Sequence, residues 1–590
     1  MDLAADYPRV TRDDWRAMAL AVLAKSGQDL SALTTATYDG PPLQPLYDRA
    51  DLPDTLRPLR SAQGWDVRQR HAVPDPEAVL ADLENGVTSL WLEVGPHAIG
   101  VDRLARVLDG VHLDLAPVVL DAGPAAASAA EAFLTAARGT SGLSGNLGAS
   151  LAAVQPDVVV ALARRCLDGH PGMRAVVVDA TPYHDAGGSD AQELGCSLAL
   201  GVAHLRVLTG GGLGVAQALG QLEFRYAATA DQFATVAKLR AARRLWARVA
   251  EVCGGPGDQL QHAVTGSAMM TARDPWVNML RTTLACFGAG VGGADAVTVL
   301  PFDACAGLPD AFARRIARNT QSLLLEECGV GRVIDPAGGS FYVERRTAEL
   351  AEAAWAWFQE IEAAGGAPAA GELIAGRIAA TRARRADDLA HRRLPVTGVS
   401  EFPDLTETLP VRKGGPEAGL PGYPAAHPAE PEPSAGTDGA GSGGADGLPR
   451  IRYAAAFEQL RDLADARPER PKVFLATIGP IAVHTARAAF AANLFQAGGL
   501  ATETAGPAVD ADQIATAFAV SGSRVACLCS SDRMYAEHAE AVAAALKRAG
   551  AKRVWLAGKG DFAHVDGRVF AGCDALTVLR TTFEDLEVTR

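Results

Sequence analysis

Few residues in this chain fall in patterns that could support chemistry: one histidine beyond a strand-like run, and several glycine clusters. His484 lies in the stretch Lys472–Ala488, where the apolar run Val473–Ile478 is cut by Gly479-Pro480 and followed by an alanine-rich helical pattern. That is a strand, a loop and a helix, and doubly wound α/β domains bind ligands beyond the carboxyl ends of their strands. A neutral imidazole in such a loop is a candidate metal ligand. Gly288-Ala-Gly-Val-Gly-Gly293 fits a dinucleotide-binding spacing, but it follows the helical pattern Trp276–Cys286 where that site needs a strand. Gly210 to Gly214, after an apolar run, reads as a tight loop. The nine cysteines contain no Cys-x-x-Cys; Cys527 and Cys529 share one face of a strand-like run and read as buried reduced thiols, not as a disulfide or zinc site.

The elements that must carry these residues are set by length and pattern. At 590 residues the chain is too long for one ordinary domain. A formal net charge of −14 argues against a general nucleic-acid binder. Arg240, Arg243, Arg244 and Arg248 recur at helical spacing and read as a solvated helix face. No stretch approaches the roughly 20 apolar residues needed to cross a bilayer, and the acidic N-terminus lacks the basic region of a signal peptide. A cytoplasmic location is the expectation.

Asp13 to Ala24 forms an amphipathic helical pattern, and residues 1–70 read as an N-terminal helix and extended arm of the kind that wraps a partner or its own domain. Residues 71–405 hold short apolar runs alternating with helical patterns. The runs are Ser89–Val94, Val118–Asp121, Ala175–Ala180, His204–Leu208, Leu222–Tyr226, His262–Val264, Ala296–Leu300 and Arg332–Asp335, with helices at Asp231–Cys253 and Pro309–Cys328 among them. About eight βα units over ~250–300 residues is the size of a (β/α)8 TIM barrel, although a large open α/β sheet has the same rhythm. Residues 406–450 are rich in Gly, Pro and Ala and read as a flexible linker. Residues 451–590 hold five strand-like runs (Val473–Ile478, Thr502–Ala505, Val525–Cys529, Arg553–Leu556 and Ala575–Leu579), a flavodoxin-like rhythm.

Several stretches resemble the methylmalonyl-CoA mutase family: Val236 to Ala247 (VAKLRAARRLWA), Arg314 to Gln321 (RRIARNTQ), Arg332 to Glu344 (RVIDPAGGSFYVE), Asp274 to Arg281, and Gly398 to Pro403. The resemblance implies a coenzyme-B12 radical isomerase whose barrel binds an acyl-CoA and whose flavodoxin-like C-terminal domain is of the cobalamin-binding type. It implies that an Asp-x-His-x-x-Gly motif supplies the cobalt ligand. It also places Tyr183-His184 at the family pair whose histidine donates a hydrogen bond to the thioester carbonyl.

The chain departs from that pattern where the chemistry lies. Aligned from Gly479, Ile481 stands at the aspartate position, Val483 at the histidine and Ala486 at the glycine; His484 is one residue late, and Val483 offers cobalt no lone pair. Ser530-Ser531-Asp532 puts a carboxylate where an apolar residue covers the cofactor tail. Arg60-Ser61-Ala62 replaces the family's Arg-Gln-Tyr. Ala175-Val176-Val177-Val178, Leu90, Trp91, Leu92, Val118 and Val119 would fill a barrel lumen with bulky side chains, leaving His184 without its substrate. The expectation is a small, non-catalytic subunit that binds no cofactor or metal itself. Its partner would be a homologous large mutase chain, which holds adenosylcobalamin and the acyl-CoA. A free-standing B12 isomerase and a regulatory or chaperone-like binder of the mutase are the alternatives.

Overall fold

The computed structural model describes residues 10–53, 64–413 and 447–588. Eight parallel strands follow one another around a closed barrel: β1 Asp66–His71, β2 Ser89–Glu93, β3 Val118–Asp121, β4 Ser144–Ala149, β5 Gly172–Asp179, β6 Leu222–Ala228, β7 Leu260–Thr265 and β8 Ala296–Thr298. β8 closes on β1 through Val297 opposite Val67. Helices cover the outside, so the fold is a (β/α)8 barrel.

Two of the expected strands are something else. His204–Leu208 belongs to the 21-residue helix Asp190–Gly210. That helix is buried on most of its circumference, so its sequence carries no clear polar face and a short window of it looks like a buried strand. The Gly210–Gly214 run therefore ends a helix; a side chain at Gly211 would sit 2.5 Å from Val160. Arg332–Asp335 is a turn, not a strand.

β1 and β4 take the two vacant places. β1, Asp-Val-Arg-Gln-Arg-His, lies inside the stretch expected to be an arm and is too charged to read as a strand. β4 is built from small residues because Gly145 and Gly148 take left-handed φ of 129° and 74°, and a Cβ on either would lie about 2 Å from a β3 carbonyl oxygen.

Strand side chains alternate between two environments. Leu90, Leu92, Val118, Leu120, Val176 and Val178 face outward and pack under the helices. The lumen holds Trp91, Val119, Val177 and Val264, and around them a set of paired charges, buried except for the half-buried Glu93, Asp121 and Asp179. Arg68 pairs with Glu223, Arg70 with Glu93, and Arg225 with Asp121 (3.1 Å) and Asp179 (2.8 Å). His262 receives Arg225 Nε–H on Nδ1 and lies 2.8 Å from Thr298 Oγ1 through Nε2. The Arg225 and Arg70 guanidinia lie 4.0 and 4.8 Å from the Trp91 ring centroid. Of the bulky residues expected in the lumen, Trp91, Val119 and Val177 lie there, whereas Leu90, Leu92, Val118, Val176 and Val178 face outward and ion pairs take other inward positions.

The helix Gln232–Cys253 starts at Asp231, whose carboxylate caps Ala234 N–H, and stops at Gly254 with φ 75°. Its arginines are not one solvated face. Arg244 and Arg248 are exposed, whereas Arg240 is buried against Asp335 and Glu344, and Arg243 is buried and donates to Gly292 O. The Gly288–Gly293 run lies at the end of the helix Val277–Val291, where Gly288 lets the backbone of Gln232 approach and Gly290 sits against Trp65. It is a packing device, with no strand before it.

The second unit is a five-stranded, all-parallel sheet of β9 Lys472–Thr477, β10 Ala501–Thr504, β11 Val525–Cys529, β12 Arg553–Ala557 and β13 Gly567–Val569, in the order β10-β9-β11-β12-β13. Its two faces are packed by separate apolar layers. Cys527 and Cys529 are buried in one of them, and all nine cysteines are free thiols. Ala575–Leu579 is not the fifth strand but the start of the helix Ala575–Asp585, capped by Asp574.

Within the segment expected to be a linker, residues 406–413 bind the barrel: Arg412 pairs with Asp303, and Glu407 receives Asp274 N–H at 2.6 Å. Residues 414–446 lie outside the described residues. Among the described residues no helix is long and apolar enough to cross a membrane.

Candidate functional site

The barrel's carboxyl-end face carries one dense group of titratable side chains. Tyr183 and His184 lie on the short helix Thr181–Asp185 that follows β5 directly. Ser189 caps the next helix, whose first turn brings Asp190 and Glu193 back over the same mouth. Lys238 enters from the second turn of Gln232–Cys253. Its ammonium, with no exposed surface, bonds Asp190 Oδ1 at 2.8 Å and Glu193 Oε2 at 2.7 Å. The other Glu193 oxygen accepts Ala227 N–H at the end of β6, 2.7 Å away.

His184 Nδ1 is 3.9 Å from Glu193, beyond hydrogen-bond reach, and its Nε2 is buried without a partner. Gly266 makes room for that atom, because a side chain there would lie 2.9 Å from it.

Burial decides the protonation states. Desolvation, reinforced by the Lys238 charge, pushes the His184 imidazole down to about 3, so it is neutral. Desolvation raises Glu193 to about 7 although Lys238 opposes it. For Asp190 and Lys238 burial is outweighed by their mutual attraction, and both stay charged. His184, Asp190 and Glu193 present ligand atoms within 4.8 Å of one another. Lys238 already supplies the positive charge between the carboxylates, so the group is a closed salt bridge and not a cation site.

The cluster opens into a cavity of about 480 Å3, lined also by Tyr38, Asp39, Arg281, Leu280 and Leu284. Asp39 comes from the N-terminal arm and is fixed by Ala191 N–H at 2.8 Å and Arg346 at 2.6 Å. The arm therefore folds against its own barrel here. The neutral imidazole could give or take one hydrogen bond from a ligand in this cavity, and nothing in the group is placed as a nucleophile.

The loop after β9 gives a different picture. Ile481, Val483 and Ala486 lie in the first turns of the helix Ile481–Ala497, with Ile481 and Ala486 exposed and Val483 half-buried. His484 is turned inward and donates Nδ1–H to Gly479 O at 3.0 Å. Arg487 reaches across the carboxyl ends of the central strands. It donates to Ser530 O (2.7 Å) and Asp532 (2.6 Å), stacks over Tyr535 with its guanidinium carbon 5.1 Å from the ring centroid, and closes on Gly558. Tyr535 accepts Ser530 N–H at 2.8 Å beneath it.

Asp532 is therefore no buried charge. It is exposed at a helix N-terminus, where a carboxylate is favoured, and it is paired. Val483, at the family's ligand position, carries no lone pair, and Arg487 lies across the strand ends beside it. Arg60-Ser61-Ala62 lies outside the described residues.

Sequence reasoning found His184 and the β9 loop but missed Asp190, Glu193, Lys238, Asp39 and the bridging role of Arg487. One signal was present: Lys238 sits between Val236, Ala237 and Leu239 on the apolar stripe of its helix, where a charge requires a buried partner.

A closed (β/α)8 barrel with its polar cluster at the carboxyl-end mouth, followed by a parallel five-stranded α/β unit, defines a two-domain α/β protein with both ligand-binding locations of that class in place. The sequence model of the family described as methylmalonyl-CoA mutase matches residues 152–417. The protein named methylmalonyl-CoA mutase small subunit of Streptomyces virginiae is 54% identical over 637 residues, covering 100% of this chain and 98% of its own. That of Propionibacterium freudenreichii subsp. shermanii is 38% identical, with 100% and 97% covered, and a probable small subunit of Mycobacterium tuberculosis is 44% identical, with 95% of each covered. The chain belongs to the methylmalonyl-CoA mutase family.

Proposed function

We propose that this chain is the small, non-catalytic subunit of a heterodimeric methylmalonyl-CoA mutase. The complex interconverts (R)-methylmalonyl-CoA and succinyl-CoA in the cytoplasm, with adenosylcobalamin and the acyl-CoA held by the homologous large chain. The observation that carries the reading is the β9 loop: Val483 in place of a ligand, His484 tied to its own loop, and Arg487 across the crevice. The strand order of the second sheet is that of flavodoxin-like domains, which supports descent from a cobalamin-binding domain.

The barrel supports the same reading. An acyl-CoA chain running along the barrel axis would have to displace the buried Trp91, the buried pair Arg68–Glu223, and Arg225 with its half-buried partner Asp179. His184 and Tyr183 keep their places at the mouth, but His184 is enclosed by a salt-bridge cluster that holds the fold together. On this reading they are inherited positions without a substrate.

A visible-absorption titration of the purified chain with hydroxocobalamin tests the proposal. No spectral shift is expected from the chain alone, and one cobalamin per pair is expected once the large chain is added. A bound, shifted cobalamin in the isolated chain would favour the free-standing isomerase. Failure to co-purify with the large chain as a stable pair would favour a transient regulatory or chaperone-like binder.

A further inference from the structure

We propose that the barrel flank formed by the helices Gln232–Cys253, Val277–Val291 and Ala311–Ser322 is the docking surface for the large mutase chain. The inference rests on the subunit reading above and gives it a location. These are three successive outer helices, following β6, β7 and β8. Each opens with an aromatic side chain at the same end of the barrel: Phe233, Trp276 and Phe312.

Trp276 and Phe312 both rest on the buried Phe302, with ring centroids 4.8 and 6.1 Å away, so they form one aromatic ledge. Leu280 and Leu284 continue from Trp276 at four-residue spacing, which puts all three on one stripe of one helix. These five side chains are between 42% and 66% exposed.

An outer barrel helix normally shows water a polar stripe; this one shows Trp, Leu and Leu. Half-exposed side chains of this size leave roughly 100 Å2 each, so the five present about 500 Å2, toward the top of what a monomeric surface carries. Leu323, Val333 and Ile334, at the far ends of the same helices and the turn beyond, are exposed as well. They extend the flank toward the about 800 Å2 per side of a stable specific interface. That size fits a permanent protein partner. It is broader than a small ligand covers.

A homologous chain meets this need directly. Two barrels of one family related by a pseudo-twofold axis can bury corresponding helical flanks against each other. Leu280 and Leu284 also rim the His184 cavity, so a chain docked on this flank would cover its mouth.

The test is the affinity of the full chain for the co-produced large chain, measured by analytical ultracentrifugation. Trp276→Asp and Leu280→Asp are each expected to weaken the pair at least about 30-fold, as central aromatic and apolar anchors do. Leu115→Asp, an exposed apolar residue entering β3 on the opposite side of the barrel, is expected to leave it unchanged. All three positions are surface-exposed, so each variant should keep the wild-type circular dichroism spectrum. A photo-crosslinking residue at position 280 is expected to capture the large chain, which tests the contact without weakening it.

If the wild-type pair forms and both flank variants bind with unchanged affinity, the docking surface is wrong while the subunit reading stands. If the wild-type chain forms no pair with the large chain, the subunit reading fails and this occupant with it. If position 280 crosslinks only to a second copy of this chain, the occupant is refuted and the flank is a self-association surface.

Discussion

Lys238→Met removes the charge at the centre of the barrel-mouth cluster and leaves Asp190 and Glu193 facing each other. Breaking a buried ion pair by deleting one partner costs about 3–5 kcal/mol. The local chemistry gives a similar figure. Without Lys238, Asp190, which the wild type keeps ionised, can stay buried only by taking up a proton. Holding a carboxyl of ordinary value 3.8 neutral at pH 7 costs about 4 kcal/mol, at 1.36 kcal/mol per pH unit.

The sign follows from the same accounting. The folded variant keeps a proton on Asp190 while the folded wild type and the unfolded chains release it above pH 3.8, so the variant loses stability relative to wild type as pH rises and regains it as pH falls. Urea unfolding of wild type and variant at pH 5, 6, 7 and 8 should therefore show a gap that is small at pH 5 and widens by up to about 1.4 kcal/mol per unit. Adding Asp190→Asn to Lys238→Met should restore most of the loss and flatten its pH dependence. A loss equal at all four pH values, or one the second substitution leaves untouched, would refute the claim that Lys238 acts by holding Asp190 ionised.

Three shorter predictions follow from other parts of the molecule. Burial holds His71 and His204 down at about 4 and His184 at about 3. Between pH 6.5 and 4 the unfolded chain binds these protons and the folded chain does not, so stability should fall as pH drops through that window; urea midpoints that rise on acidification would contradict this. Trp91→Ala removes the ring on which Arg70 and Arg225 stack and should destabilise the barrel by about 3–5 kcal/mol, read as a lowered Tm with the second domain's transition unchanged. His484→Ala should leave the mutase activity and cobalamin content of the assembled complex unchanged, since the imidazole binds only Gly479 O; a fall in bound cobalamin would return His484 to the cofactor site.

What could be read from the chain alone was the part governed by periodic burial. Val473–Ile478 and Val525–Cys529 are apolar because both faces of their sheet are covered, and they appear nearly where expected. β1 and β4 were illegible for opposite reasons. β1 faces a lumen packed with charge, so its arginines look like surface residues until Glu223 and Glu93 are known to face them. β4 needs glycine for backbone reasons, and glycine mimics a loop. The helix Asp190–Gly210 is buried almost all round, which erases the period that would distinguish it from a strand.

At the site, sequence could show that Val483 cannot bind cobalt, because that follows from residue type alone. It could not show what fills the space instead. Arg487 meets Asp532 and Ser530 some 45 positions away, and Lys238 meets Glu193 across a similar separation.

These replacements share a physical logic. A cavity built for a ligand and then emptied leaves polar backbone and charged walls without partners, and each such group costs free energy. In the second domain Arg487 takes up the Ser530 carbonyl and the Asp532 carboxylate at the strand ends. In the barrel Trp91 fills volume while Arg68, Arg70 and Arg225 pair off every lumen carboxylate that faces them. The chain's own side chains thus fill the lumen and the β9 loop, while His184 Nε2 at the barrel mouth is left without a partner, and the stability of the isolated chain is expected not to rise when hydroxocobalamin or an acyl-CoA is added. That is directly measurable, because a ligand present at 100 times its dissociation constant stabilises its host by about 2.7 kcal/mol. A shift in the Tm of the isolated chain with either compound would mean that one of these plugs is a displaceable door, and the unshifted Tm expected here is what a scaffold for a working partner requires.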